Sequence, residues 1–248
     1  MVESVVNPDV EGHILVPDTH ANLEKVELLI QKLSRLGLLA TRRLCFLGDL
    51  VDRGPNARGL VDYVMHLCVD DGHTIVAGNH DYVLARVLDR ADPYRSAWVD
   101  RWARNYESGV LNSYGVDAGA SWLEKADQLA EAMPNQHVDF LRRMPWVYET
   151  ADIVAVHAGI DPHINWDIQR DNLMTKRETG RRGPSQLFSH NFAGNVMATI
   201  PGKTLVSGHL SRYQPYVSST RVMLDCGVDS GGPLASWVSD TNDVIMVD

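Results

Sequence analysis

RLCFLGDLVDRGPNARGLVDYVMHLCV, residues 43–69, reads as strand, turn and helix in a single pass. The apolar run of RLCFLG (43–48) has strand length and stops at Gly48. The turn GDLVDRGP (48–55) then gathers Asp49, Asp52 and Arg53 between two glycines and a proline, residues that permit or impose a tight backbone path. From Asn56 to Val69 a helical pattern places Leu60, Val61, Val64, Met65 and Leu67 inward. Asp and Gly are ordinary turn formers, so these eight turn residues alone do not separate a decorated turn from a site. The flanking sequence has to decide.

The same unit stands on either side. HILVP (13–17) runs into DTHAN, after which Leu23, Val26, Leu29, Ile30, Leu33 and Leu36 recur at helical spacing up to Gly37. HTIVAG (73–78) runs into NHD, with a helix expected to begin near Tyr82. Three consecutive units of this kind imply a parallel sheet with crossover helices. Sites in such sheets sit at the carboxyl ends of the strands, where DTH, DLVDR and NHD all fall. Strand signals resume at DIVAVH (152–157), KTLVSG (203–208), RVMLD (221–225), ASWVS and DVIMV, and two of them again stop at a histidine, His157 and His209.

The intervening segment, about 82–145, is helical and rich in aromatics: Trp98, Trp102, Tyr106, Tyr114, Trp122 and, just beyond, Trp146. Aromatics are most often core, which makes this a packed helical subdomain; the sharper reading is a cap whose rings form a wall for a base. A basic stretch, Lys176, Arg177, Arg181 and Arg182, lies between Gly and Pro breakers in a mixed region, 163–200. No internal repeat or low-complexity segment occurs, so the expectation is one domain, 1–248, with a helical, cap-like insertion at about 82–145.

With 248 residues, 44% hydrophobic and 22% charged, the chain has the composition of a globular protein able to bury a core. A net charge of −9 without a long Lys/Arg block argues against a nucleic-acid binder, which wants a basic face. A small anionic substrate stays open, because metal ions supply a local positive site on an acidic protein. Cys45, Cys68 and Cys226 are odd in number and far apart, and read as reduced core thiols. MVESVVNPDVEG has neither the basic nor the apolar part of a secretion signal, and no run approaches the ~18 apolar residues of a membrane span. The expected location is the cytoplasm. Oligomeric state is not legible.

The strand-end inventory is Asp18, His20, Asp49, Asp52, Arg53, Asn79, His80, Asp81, His157 and His209. Imidazoles, carboxylates and one amide oxygen, with no thiolate, suit first-row divalent ions such as Mn, Fe or Zn. Any one of these histidines alone reads as a structural residue. Five strand ends that all carry ligand-type residues do not. Six ligands would fill two adjacent shells if one carboxylate bridged, and two ions about 3.5–4 Å apart clamp a phosphate for in-line attack.

DTH, GDLVDRG, GNHD, VHAG and GH, in this order over residues 13–209, resemble the metallophosphoesterases. The full-length second motif is similar to the phosphoprotein phosphatase branch, which includes Ser/Thr protein phosphatases and bacterial symmetrical diadenosine tetraphosphatases. The resemblance implies an α/β fold, a four-layer αββα sandwich of two mixed sheets with the helical insertion. It implies two divalent metal ions, with Mn the ion to supply in vitro, and a hydroxide held between them that attacks phosphorus in line. Residue by residue, it places Asp18, His20 and Asp49 on the first metal, and the bridging Asp49 with Asn79, His157 and His209 on the second. It makes His80 the general acid, Asp52 its orienting carboxylate, and Arg53 a phosphate ligand alongside Asn79. A further phosphate-binding arginine of the family falls on Arg177 by position, with Arg181 and Arg182 as rivals.

Two departures stand out. Pro17 and Ala21 replace the glycines that usually flank the first motif, and an altered local turn is expected there without loss of the metal. Asp81 stands where eukaryotic protein phosphatases usually carry Glu, which favours the diadenosine tetraphosphatase side, whereas the intact DRG favours the protein phosphatases. The expected substrate is a nucleotide such as a diadenosine polyphosphate, with Trp98, Trp102 or Tyr106 stacking the base. The alternative is a Ser/Thr or dual-specificity phosphoprotein phosphatase. A polynucleotide-end phosphatase is disfavoured by the acidic balance, and a catalytically dead binding module by the presence of His80, Asp52 and Arg53 together.

Overall fold

The computed structural model describes residues 11–105, 109–116, 119–177 and 182–248. The first unit is β1 (Gly12–Val16), α1 (Leu23–Arg35), β2 (Arg42–Phe46), α2 (Ala57–Val69) and β3 (Thr74–Ile75). Helices α3 (Asn79–Val87), α4 (Arg95–Asn105), α5 (Val110–Ser113), α6 (Trp122–Ala132) and α7 (Asn135–Arg143) follow. The chain continues through β4 (Tyr148–Glu149), β5 (Ile153–Ala155), α8 (Trp166–Met174), α9 (Ser185–Phe188) and α10 (His190–Ala193). It ends with β6 (Thr204–Ser207), β7 (Tyr216–Val217), β8 (Arg221–Met223), β9 (Leu234–Val238) and β10 (Val244–Val247).

These strands form two mixed sheets of five, ordered β10-β9-β1-β2-β3 and β4-β5-β6-β8-β7. β1, β2 and β3 are parallel, as the strand-turn-helix rhythm requires, while β9 returns antiparallel to β1. In the second sheet β5, β6 and β8 are parallel. Alternation along the strands explains why the sheets stack. Leu15 and Cys45 share one buried cluster with Ile153, Ala155, Val206 and Val222 of the other sheet. Their neighbours Ile14, Val16, Leu44 and Phe46 belong to a second cluster with Val26, Leu29, Leu60 and Val64 of α1 and α2. One face of the first sheet meets the second sheet and the other meets helices, which is the expected αββα sandwich.

Two elements differ from the sequence reading. β3 has two residues rather than six; beyond it, Ala77 N–H turns away to donate to Pro145 O at 2.7 Å. α3 begins at Asn79, not near Tyr82, because the Asp81 carboxylate accepts the Gly78 N–H at 2.9 Å and caps the helix three residues early. The NHD motif therefore lies in the first helical turn, where its side chains are held by a rigid element.

Candidate metal and phosphate site

The loops after β1, β2, β5 and β6 and the first turn of α3 meet at one end of the sandwich. The loops after β1 and β2 are joined by main-chain bonds: Thr19 and His20 N–H donate to Asp49 O at 3.2 and 2.9 Å, and Ala21 N–H to Leu50 O at 2.7 Å. Gly48 and Gly78 are required where the second loop touches α3. A Cβ on Gly48 would lie 2.1 Å from Gly78 N, and one on Gly78 would lie 2.0 Å from Asp49 Oδ1. The buried Asp81 carboxylate ties the corner together by accepting N–H bonds from Asp49 (2.7 Å), Leu50 (2.9 Å) and Gly78 (2.9 Å).

His20, Ala21, Asp49, Asp52, Arg53 and His209 all adopt positive φ, between 41° and 70°. Ala21, at φ 55°, adopts a left-handed turn, a conformation that strains a residue with a Cβ.

Two groups of possible metal ligands result, His20–Asp49–His80 and Asp49–His157–His209, and they share Asp49. His157 Nδ1–H donates to Leu47 O at 2.7 Å, so in the neutral imidazole, the form that binds a metal, Nε2 is a lone pair. That lone pair faces Asn79 Oδ1 at 3.0 Å, His209 Nδ1 at 3.1 Å and Asp49 Oδ2 at 3.4 Å. His209 Nε2 is buried with no hydrogen-bond partner among the described residues. His20 Nδ1 is similarly turned to Val51 O at 3.3 Å, with Nε2 3.9 Å from Asp49 Oδ2. Acceptors that converge in this way repel one another unless a cation sits among them. The donor set fits divalent ions that take nitrogen and oxygen.

Where no ion sits, the same crowding of acceptors is met by protons. Burial would raise the Asp49 carboxyl, but His157, His80 and His20 around it prevail and hold it well below the usual range. Burial would lower His157, yet Asp49 and Asp18 outweigh it and push the imidazole up to about 10. Asp18 is raised well above the usual carboxylate range by burial and by the nearby Asp225. Asp18 accepts the His209 N–H at 2.9 Å and lines the same cavity, but it is in neither tight group.

Beside the cluster, His80 Nδ1 lies 2.8 Å from Asp52 Oδ2, and its Nε2 lies 3.8 Å from Asp49 Oδ2. Asp52 also accepts the indole N–H of Trp102 at 3.4 Å. Burial disfavours charge on both members of this pair, lowering His80 and raising Asp52. Arg53 reaches Asp229 Oδ2 at 2.9 Å, a partner from the loop after β8.

A cavity of about 320 Å³ opens over these groups, lined by Asp18, His20, Asp49, Arg53, Asn79 and His80, with His209 and four residues outside the motifs: Arg101, Asn105, Phe188 and His190. The His190 ring stacks on His209, centroids 4.8 Å apart. No motif or local spacing marks these four; only the fold brings α4 and the α9–α10 turn to the metal loops.

Three expectations change. Arg177 lines a different cavity, with Trp146, Asn172 and Phe192, because the chain turns after α8: Lys176 has φ 50°, and Arg177 N–H closes on Asn172 O at 2.8 Å. Of its rivals, Arg182 does not line the metal cavity, and Arg181 lies outside the described residues. Trp98 and Trp102 are buried at 1% and 0% exposure and offer no face to a base. Tyr106 lies outside the described residues.

Comparison with known proteins agrees with this geometry. Residues 14–213 match the family model described as calcineurin-like phosphoesterase. A symmetrical bis(5'-nucleosyl)-tetraphosphatase from Nitrosomonas europaea is 30% identical over 170 residues, which cover 67% of this chain and 53% of that protein. The chain spans about half the length of the curated relatives it matches. Among solved structures, a protein described as a candidate diadenosine tetraphosphatase has a TM-score of 0.61 at 23% identity, covering 97% of this chain and 95% of that one. A Saccharomyces cerevisiae protein serine/threonine phosphatase has a TM-score of 0.53 at 15% identity, covering 97% and 80%. At these identities the two structures show the fold alone.

Proposed function

The chain belongs to the calcineurin-like phosphoesterase family, and from that premise we propose that it is a two-metal hydrolase of phosphate esters and anhydrides acting on a nucleotide such as a dinucleoside polyphosphate. The observation that carries the reading is the sharing of Asp49 between two ligand groups, beside a histidine–carboxylate pair. We take the chain as one domain, with the helical segment at about 82–145 contributing to the rim of the site.

Asp18, His20 and Asp49 would hold one ion, and Asp49, Asn79, His157 and His209 the other. Bound ions of this kind polarise phosphoryl oxygens and lower the pKa of water. Asp52 accepts the His80 Nδ1–H and turns Nε2 toward the cluster; in the imidazolium form, which the Asp52 carboxylate supports, His80 would give the Nε2 proton to the leaving oxygen and keep the Nδ1–H. Arg53 holds non-bridging phosphate oxygens through its planar fork. The loop network keeps these groups in place before substrate arrives.

Placement of Arg101 and Asn105 of α4 in the cavity wall supports a small substrate over a protein surface. The nucleotide name carried by the Nitrosomonas relative points the same way. The test is a side-by-side comparison, with Mn²⁺ added, of kcat/KM on diadenosine tetraphosphate, a phosphoserine peptide and a phosphotyrosine peptide. The dinucleotide should be the best substrate. A preference for either peptide would establish the phosphoprotein phosphatase alternative. Undiminished turnover by Asp49→Asn in metal-replete protein would remove the two-metal reading.

A further inference from the structure

Among the described residues, the cavity over the metal cluster has two guanidinium groups in its wall, and only Arg53 belongs to a sequence motif. Arg53 is already neutralised, with Nη1 2.9 Å from Asp229 Oδ2. Arg101 has no carboxylate partner among the described residues. Its guanidinium lies over the Phe188 ring, 4.1 Å from the centroid, and Nη1 donates to Arg182 O at 3.2 Å. Stacking uses the face of the group and leaves in-plane N–H donors for acceptors in the cavity. Asn105, one turn further along α4, donates to Arg101 O at 2.9 Å and lines the same wall. A guanidinium carries a fixed positive charge, so one in a cavity wall with no carboxylate partner among the described residues offers a place for an anion.

The phosphoryl group that reacts has its own partners in the metal cluster and Arg53. A monoester would bring no second anion for Arg101, whereas an anhydride brings one covalently attached to the first. We infer that Arg101 binds the phosphate adjacent to the one cleaved, so that the site selects nucleoside polyphosphates over monoesters by their phosphate chain. This rests on the hydrolase reading above and specifies how its substrate is recognised. The cavity, about 320 Å³, is at the small end of ligand pockets and matches a phosphate chain whose nucleosides lie outside. The faces of Trp98 and Trp102 are buried and that of Phe188 is covered by Arg101, so among these described rings none is free to stack a base.

The test uses the full chain at fixed free Mn²⁺, with Arg101→Gln and Arg101→Lys compared with the wild type. Two readouts are needed: kcat/KM on diadenosine tetraphosphate and on p-nitrophenyl phosphate, and calorimetric binding of tripolyphosphate and orthophosphate. Arg101→Gln should lower kcat/KM on the dinucleotide about thirtyfold, the size of a charge-assisted hydrogen bond, and at least tenfold more than it lowers the monoester rate. Tripolyphosphate should weaken by a similar factor relative to orthophosphate, and Arg101→Lys, which keeps charge but loses the planar fork, should be intermediate. Equal losses on both substrates, or no loss on either, would overturn the assignment. A wild type that cleaves phosphopeptides but not the dinucleotide would sink the substrate reading of the previous section. The tripolyphosphate-to-orthophosphate ratio in wild type and Arg101→Gln would still decide the role of Arg101.

Discussion

Replacing Asp81 by Asn should weaken the fold and the metal site together. Asp81 Oδ2 accepts the N–H groups of Asp49 (2.7 Å) and Gly78 (2.9 Å), and Oδ1 accepts that of Leu50 (2.9 Å). The side chain is fully buried, at 0% exposure, so water cannot replace a lost partner. An asparagine can put its single oxygen where Oδ2 was and keep two of the three bonds. Its NH₂ then faces the Leu50 N–H, donor against donor, and two buried donors are left unmatched at about 1–3 kcal/mol each. The two remaining bonds also lose the gain that a charged acceptor gives. A total of about 2–6 kcal/mol is expected, read as a lower urea midpoint at unchanged m-value in the metal-free protein. Because the Asp49 main chain hangs from Asp81, Mn²⁺ titration calorimetry should show weaker binding as well. A variant within 0.5 kcal/mol of wild type, with unchanged Mn²⁺ affinity, would show that Asp81 does not hold the loop.

His80→Ala should cut turnover of diadenosine tetraphosphate by about 10²–10⁴-fold and that of p-nitrophenyl phosphate far less, since an activated leaving group needs no proton; equal losses would place His80 among the metal ligands instead. Asp52→Asn should give the same pattern at smaller size, because it removes the charge that supports the His80 imidazolium and not the proton donor itself. Arg221 is completely buried and donates to Ala193 O, Asn195 O, Leu205 O, Val222 O and Ser207 Oγ, so Arg221→Met should destabilise by about 3–5 kcal/mol in urea melts by stranding several acceptors at once; a loss under 1 kcal/mol would contradict that account. His73 Nδ1 accepts the Leu44 N–H at 3.2 Å and burial lowers its pKa below 6.5, so it contributes stability above pH 6.5 that is lost as pH falls through the folded value. Between pH 7 and 5, stability of His73→Gln should therefore fall less steeply than that of the wild type, and parallel slopes would rule the contribution out.

Much of this was legible in the sequence wherever one local pattern specified one local structure. Leu23 to Leu36 and Leu60 to Leu67 repeat at helical spacing, and α1 and α2 form there. GDLVDRGP could be read as a site because turn residues and ligands coincide at a strand end. The start of α3 was missed because its cap is an acidic side chain inside the helix, Asp81, serving a second purpose as the loop anchor. Trp98 and Trp102 could not be told from a stacking wall, since periodicity gives a buried face but not what it is buried against. Arg101 and Arg177 differ most. Arg101 lies within α4 and Arg177 in a basic stretch just beyond α8, and nothing local ranks one above the other. The packing of α4 against Phe188 puts Arg101 in the wall of the metal-loop cavity, while the turn after α8 puts Arg177 in a separate one.

Backbone strain shows why the metal loops were nevertheless the most readable part. Six of the eight described non-glycine residues with positive φ are His20, Ala21, Asp49, Asp52, Arg53 and His209. Left-handed backbone costs an L-residue about 1–2 kcal/mol, so such a set persists only where other interactions over-determine it. Those interactions are visible: Asp81 on three N–H groups, Asp49 O on two, and Asp18 on the His209 N–H. Hydrogen bonds between the loops thus hold the ligand side chains where they converge, and ions would relieve the repulsion among their acceptors. That is also why residues such as Pro17 and Ala21 can replace glycines here: the turn is fixed by its partners across the gap, and the local preference of a single residue is too small to reroute it.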